Sequence, residues 1–145
     1  MTLGLSMLVA FIVLIAYVGL AEGIVPPSHV QSIDPTKVAQ TPPFDKPGLR
    51  KVRDGEYEAY YVARIFEFMP QHLVVPAGAH VTFYVTSEDV EHGFSIPATT
   101  VNTMVTPGWV STVDYTFRNP GKYLLICNEY CGSGHQQMAS DVEVR

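Results

Sequence analysis

Both cysteines of the chain fall within the twelve residues Cys127-Asn-Glu-Tyr-Cys131-Gly-Ser-Gly-His135-Gln-Gln-Met138. Thiolates and a thioether are soft ligands and imidazole suits copper or zinc. A methionine among them argues against zinc and for a copper electron-transfer centre. A disulfide between the cysteines is the competing use in an oxidising compartment. It would leave Gly132, Gly134, His135 and Met138 clustered for no reason, so a metal site is expected.

A mononuclear blue-copper site takes one cysteine, two histidines and a weak axial methionine. This stretch has one cysteine too many and needs a second histidine from elsewhere. The candidates are His29, His72, His80 and His92. His92 is the best placed, because it follows closely on a strand-like run that a rigid sheet can hold. Two thiolates, two imidazoles and a thioether exceed the needs of one tetrahedral ion but fit two coppers bridged by both sulfurs.

Ligands this far apart in sequence need a scaffold that returns the chain to one place. From about Val52 the sequence reads as short strands. Val81, Phe83 and Val85 alternate with Thr82, Tyr84 and Thr86; Glu56 to Phe68 is rich in Tyr, Val, Ile and Phe; Trp109, Val113, Tyr115 and Phe117 recur at odd positions. Pro76-Ala77-Gly78, Pro107-Gly108 and Asn119-Pro120-Gly121 supply the turns. Residues 51–145 can bury one core and no more, which predicts a mainly β Greek-key sandwich or barrel without helices.

Residues 26–50 hold six prolines and no periodic apolar pattern. They are expected to form an extended, polyproline-like linker that lies across its neighbours without contributing a core. His29 belongs to this segment and is expected at the surface. Ahead of it, no charged residue occurs before Glu22. Leu3 to Ala21, at about 1.5 Å per residue, matches the roughly 30 Å hydrocarbon core, so residues 1–25 are expected to carry one transmembrane helix. Gly4, Ser6 and Gly19 would give it small-residue surfaces for packing on another helix. A cleaved signal peptide is the rival, but the apolar run is long for one and has no basic start.

The spacing of Cys127, Cys131, His135 and Met138, the upstream Ser87-Glu88-Asp89-Val90-Glu91-His92 and the run Pro120-Gly121-Lys122-Tyr123 resemble subunit II of haem-copper cytochrome c oxidases. The single membrane segment is most similar to that of the B-type members. The resemblance implies a cupredoxin-like fold and a dinuclear CuA centre. Cys127 and Cys131 would bridge both coppers; His92 and Met138 would complete one, and His135 and the main-chain carbonyl of Glu129 the other. It leaves the Glu129 side chain open to a magnesium ion at the contact with subunit I. It also implies that electrons come in over an aromatic surface at Phe66 or Phe68, from cytochrome c or a blue-copper donor. They would pass to haem in subunit I, where oxygen is reduced to water and protons are pumped. A small single-helix subunit is expected beside the anchor, and the copper domain is expected on the periplasmic or outer side of the plasma membrane.

Asp89 is expected to orient its loop as a hydrogen-bond acceptor, beside Glu88 and Glu91. His72 and His80 are expected at exposed positions, and Met69 and Met104 in apolar packing. The net charge of −5 disfavours nucleic-acid binding. No histidine in the membrane run could hold haem, and no nucleophile has partners, so oxygen chemistry belongs to another chain. A nitrous oxide reductase-like domain, a tethered mononuclear carrier and a copper chaperone are the alternative readings.

Overall fold

The computed structural model describes the backbone of residues 2–22 and 28–145 and the side chains of 2–21 and 31–145. The expected helix end at residue 25, Pro26, Pro27 and the His29 side chain lie outside these. The apolar N-terminal run forms helix α1, Thr2–Glu22, exposed along nearly its whole length and long enough to cross a membrane.

Eleven strands follow among the described residues: β1 (Ser28–Ser32), β2 (Gly48–Arg53), β3 (Glu56–Arg64), β4 (Glu67–Met69), β5 (His72–Val75), β6 (His80–Ser87), β7 (His92–Ser95), β8 (Asn102–Val105), β9 (Trp109–Thr116), β10 (Gly121–Ile126) and β11 (Ala139–Val144). One sheet runs β1-β9-β6-β3-β2, with β4 hydrogen-bonded to β3; the other runs β5-β11-β10-β7-β8. Parallel pairing of β3 with β6 and of β5 with β11 breaks the otherwise antiparallel pattern. The alternation in β6 works as predicted: Val81, Phe83 and Val85 are fully buried and face the other sheet. Phe83 meets Phe94 and Phe117, with Phe94 edge-on to Tyr61 and Phe68. Gly78 and Gly108 take φ of 81° and 88° in their turns, a region that a side chain resists.

The proline-rich segment departs from expectation. β1 adds to the edge of β9, with Ser32 opposite Trp109, and a short 3-10 helix spans Pro35–Gln40, its first turn capped by Asp34 accepting from the Thr36 N–H at 3.0 Å. Val38 and Phe44 are buried with Val62 and Val110 in a second cluster on the outer face of the sheet. Phe44 meets Tyr60 edge-on at 5.6 Å, and Tyr60 stacks on Tyr84 at 5.1 Å. The segment therefore does contribute a core, because prolines between isolated apolar residues fix a chain that can lap over exposed aromatic surface. Each buried side chain stabilises by about 1.5–3 kcal/mol.

Both sheets converge at one pole. Parallel pairing sets Ala63 opposite Ser87, and Ile126 of β10 pairs with Ser95 of β7 on one side and Ala139 of β11 on the other. The loops leaving β3, β6 and β10 thus meet there.

Candidate metal centre

His92 opens β7, held by its pairing with Val105, and is completely buried. Its Nε2 lies 2.9 Å from Asp89 Oδ1, and Asp89 Oδ2 accepts a 2.7 Å hydrogen bond from the Ile65 N–H. Desolvation pushes the Asp89 carboxyl up, but the bonds from His92, Ile65 and Val90 outweigh it and hold its pKa below the ordinary carboxylate value. A carboxylate at Nε2 draws the ring proton to that nitrogen and leaves the lone pair on Nδ1. Nδ1 faces the Cys127 sulfur at 3.9 Å.

Cys127 leaves the end of β10, and its N–H bonds to the Met138 carbonyl at 3.1 Å, which closes the base of the 127–138 loop. Inside, Cys127 Sγ is 3.1 Å from the Glu129 carbonyl oxygen and accepts from the Gly93 N–H at 3.4 Å. Cys131 Sγ lies 3.6 Å from His135 Nδ1 and 3.7 Å from Met138 Sδ. The two sulfurs stand 3.8 Å apart, far beyond the roughly 2.05 Å of a disulfide, so the competing reading fails and both cysteines are free. Burial, with the Cys127 sulfur adding, pushes the Cys131 thiol up to about 11.

Two soft sulfurs, a thioether, two imidazole nitrogens and a carbonyl thus converge, with His92, Cys127, Cys131 and Met138 all buried. That donor set fits copper. The ligand atoms of His92, Cys127 and Cys131 all lie within 4.8 Å of one another. His135 is half-buried, and Glu129 turns its side chain to solvent.

The aromatic pair expected at the surface separates. The Phe66 ring is half-buried and lies against the ligand loop, where an added Cβ at Gly134 would stand 2.3 Å from its Cδ2 and one at Gly132 3.1 Å from its Cε1. Phe68 is fully buried against Phe94, which corrects its expected place at the surface. The turn at Ile65–Phe66 resets the strand before β4, so the two rings no longer share a face. His72 and His80 stay away from the centre, bonded to Asp141 and Thr116. Met69 packs on the second cluster as expected, whereas Met104 is 44% exposed on the outer side of β8. Gly93 and Asn128, which prove to be in intimate contact, escaped the sequence reading; the small residue directly after His92 was the one signal available.

Comparison with known proteins agrees with this geometry. Residues 56–144 match the family described as cytochrome c oxidase subunit II, periplasmic domain. The chain is 43% identical to a cytochrome c oxidase subunit 2 of Thermus thermophilus, over 97% of this chain and 86% of that one. A solved haem-copper terminal oxidase dimer contains a chain that superposes with a TM-score of 0.80 at 31% identity, over 99% of this chain and 95% of that one. The fold, at 16% identity and a TM-score of 0.51, is also that of auracyanin A, a blue copper protein of Chloroflexus aurantiacus, over 62% of this chain and 99% of that one. With a buried cysteine pair set between two histidines on a cupredoxin-like sandwich, the chain belongs to the cytochrome c oxidase subunit II family.

Proposed function

We propose that Cys127, Cys131, His92, His135, Met138 and the Glu129 carbonyl hold two copper ions as a CuA centre through which single electrons are relayed. The chain is subunit II of a haem-copper oxidase, a membrane-anchored component of an oxidase complex that includes a subunit I. The observation that carries the dinuclear reading is the arrangement of the sulfurs: 3.8 Å apart, each with its own imidazole Nδ1 beyond it. When bound, the copper pair supplies the capacity to take up and release one electron.

The chain's own residues do the rest. Asp89 orients the His92 ring and fixes its tautomer. Burial of four ligand side chains keeps water out, and the β-scaffold limits rearrangement between oxidation states, which rapid transfer requires. Phe66, half-buried beside the half-exposed Ile65 and resting on Gly132 and Gly134, gives a short apolar path onto the ligand loop and is the residue proposed for electron arrival. Phe68 is set aside because its ring is shut in the core. The donor is cytochrome c or a blue-copper protein. Electrons leave on the Glu129–His135 side, where Tyr130 is 80% exposed, towards haem in subunit I. There oxygen is reduced to water and protons are pumped. The exposed Glu129 carboxylate is proposed to meet a magnesium ion at that contact. The copper domain is proposed to lie outside the plasma membrane, with a small single-helix subunit beside α1.

The test is metal analysis of the full-length chain purified in mild detergent and loaded with copper. Two coppers per chain with a purple colour are expected. One copper, or a preference for zinc, would overturn the dinuclear assignment.

A further inference from the structure

Gly93 is buried directly after His92, and a Cβ added to it would stand 2.0 Å from Asn128 Oδ1, 2.9 Å from Asn128 Cγ and 2.9 Å from the Asn128 backbone nitrogen. The Asn128 carboxamide therefore fills the notch that the missing side chain leaves. Its Nδ2 donates to Asn102 Oδ1 at 3.0 Å. Asn102 begins β8 and is paired with Ser95 of β7, so Asn128 engages both strands of the hairpin that carries His92. Asn128 also sits between Cys127 and Glu129, in a segment that belongs to no strand or helix. The same turn is held a second time by the Gly93 N–H donating to Cys127 Sγ.

We propose that Asn128, seated against Gly93 and bonded to Asn102, is a positioning residue: a clasp that fixes the Cys127–Glu129 turn to the β7–β8 hairpin and so sets two ligands against His92. This rests on the dinuclear reading above for what the ligands hold, but the clasp itself is made between protein groups alone. Its physical role follows from where the ligands come from. His92 opens β7 and Cys127 follows directly on β10, and among the described residues the register between those two strands is the single pair Ile126–Ser95. The clasp adds a side-chain tie to that pairing and to the Gly93 N–H bond on Cys127 Sγ, and a site that hardly rearranges needs its donors held by packed neighbours.

The test uses the full-length chain in detergent with three substitutions. Asn128→Ala removes the clasp, Asn102→Leu removes the acceptor at similar volume, and Asn102→Asp keeps an acceptor oxygen. In the metal-free chain, the rate of Cys127–Cys131 disulfide formation with oxidised glutathione reports how freely the sulfurs leave their 3.8 Å separation. Asn128→Ala and Asn102→Leu are expected to speed it two- to fivefold, roughly the factor for one lost neutral hydrogen bond, and Asn102→Asp to restore the parent rate. After copper loading, Asn128→Ala and Asn102→Leu should keep the parent's copper content while shifting its visible absorption and reduction potential in the same direction. Unchanged oxidation rates and an unchanged spectrum in both variants would overturn the clasp, as would Asn102→Asp behaving like Asn102→Leu. A parent chain that binds a single copper would defeat the dinuclear reading alone, because the oxidation rates still decide the clasp.

Discussion

Replacing Gly134 by alanine isolates the contact between the ligand loop and Phe66. Gly134 has φ −100° and ψ 8°, a conformation open to alanine, so the backbone contributes little to the cost. The added Cβ would meet Phe66 Cδ2, Cε2 and Cγ at 2.3, 2.6 and 2.7 Å, more than an ångström inside ordinary contact with the nearest. Overpacking of this kind costs about 1–3 kcal/mol, and the half-exposed ring can swing aside, which places the expectation near 1–2 kcal/mol. For a domain of this size that corresponds to a fall in melting temperature of roughly 3–8 °C. The assay is thermal unfolding of the metal-free chain in detergent as a double-mutant cycle with Phe66→Ala. Because the cost comes from the ring, Gly134→Ala should be nearly free in the Phe66→Ala background, giving a coupling of about 1–2 kcal/mol. Equal destabilisation in both backgrounds would refute the contact as the cause.

On the proposed dinuclear reading, Met138→Leu is expected to retain both coppers and shift the reduction potential, whereas Cys127→Ser or Cys131→Ser should abolish the dinuclear centre, since a thioether would tune while each thiolate would hold two ions; metal analysis and potentiometry check both. Phe44→Ala should destabilise the β-unit by about 3 kcal/mol although it lies in the proline-rich segment, measured as a lower unfolding midpoint; no change would mean that the lap over Tyr60 is idle. Removing residues 1–22 should weaken recovery of haem-containing protein with the chain in mild detergent but leave copper content intact, and loss of copper would tie the helix to the site.

The proposed ligands were legible because their chemistry is local: four lie in one loop, and their residue types and spacing point to a metal without knowledge of the fold. The strands were legible where alternation is strict, as in Val81 to Val85. The lap of residues 28–50 was not, because Ile33, Val38 and Phe44 stand singly between prolines and carry no period. Phe66 and Phe68 could not be told apart by parity, since a turn falls between the end of β3 and the start of β4. Asn128 and Gly93 are separated by 35 positions, and nothing local to either announces that one fills the space left by the other.

The parallel pairing of β11 with β5 bears on how the centre comes into being. Met138 directly precedes β11, whose Asp141 to Val144 align with His72 to Val75 and whose Ala139 to Val144 zip along β10. The strand that seats the thioether is thus synthesised long after its partner β5, which must wait across some seventy residues of chain for it. A nascent chain that has not yet reached β11 would offer Cys127 and Cys131 on an open loop with β5 as an unpaired edge. On the copper reading, the pocket that Met138 helps to line closes only once β11 has paired, after both cysteines have already been made.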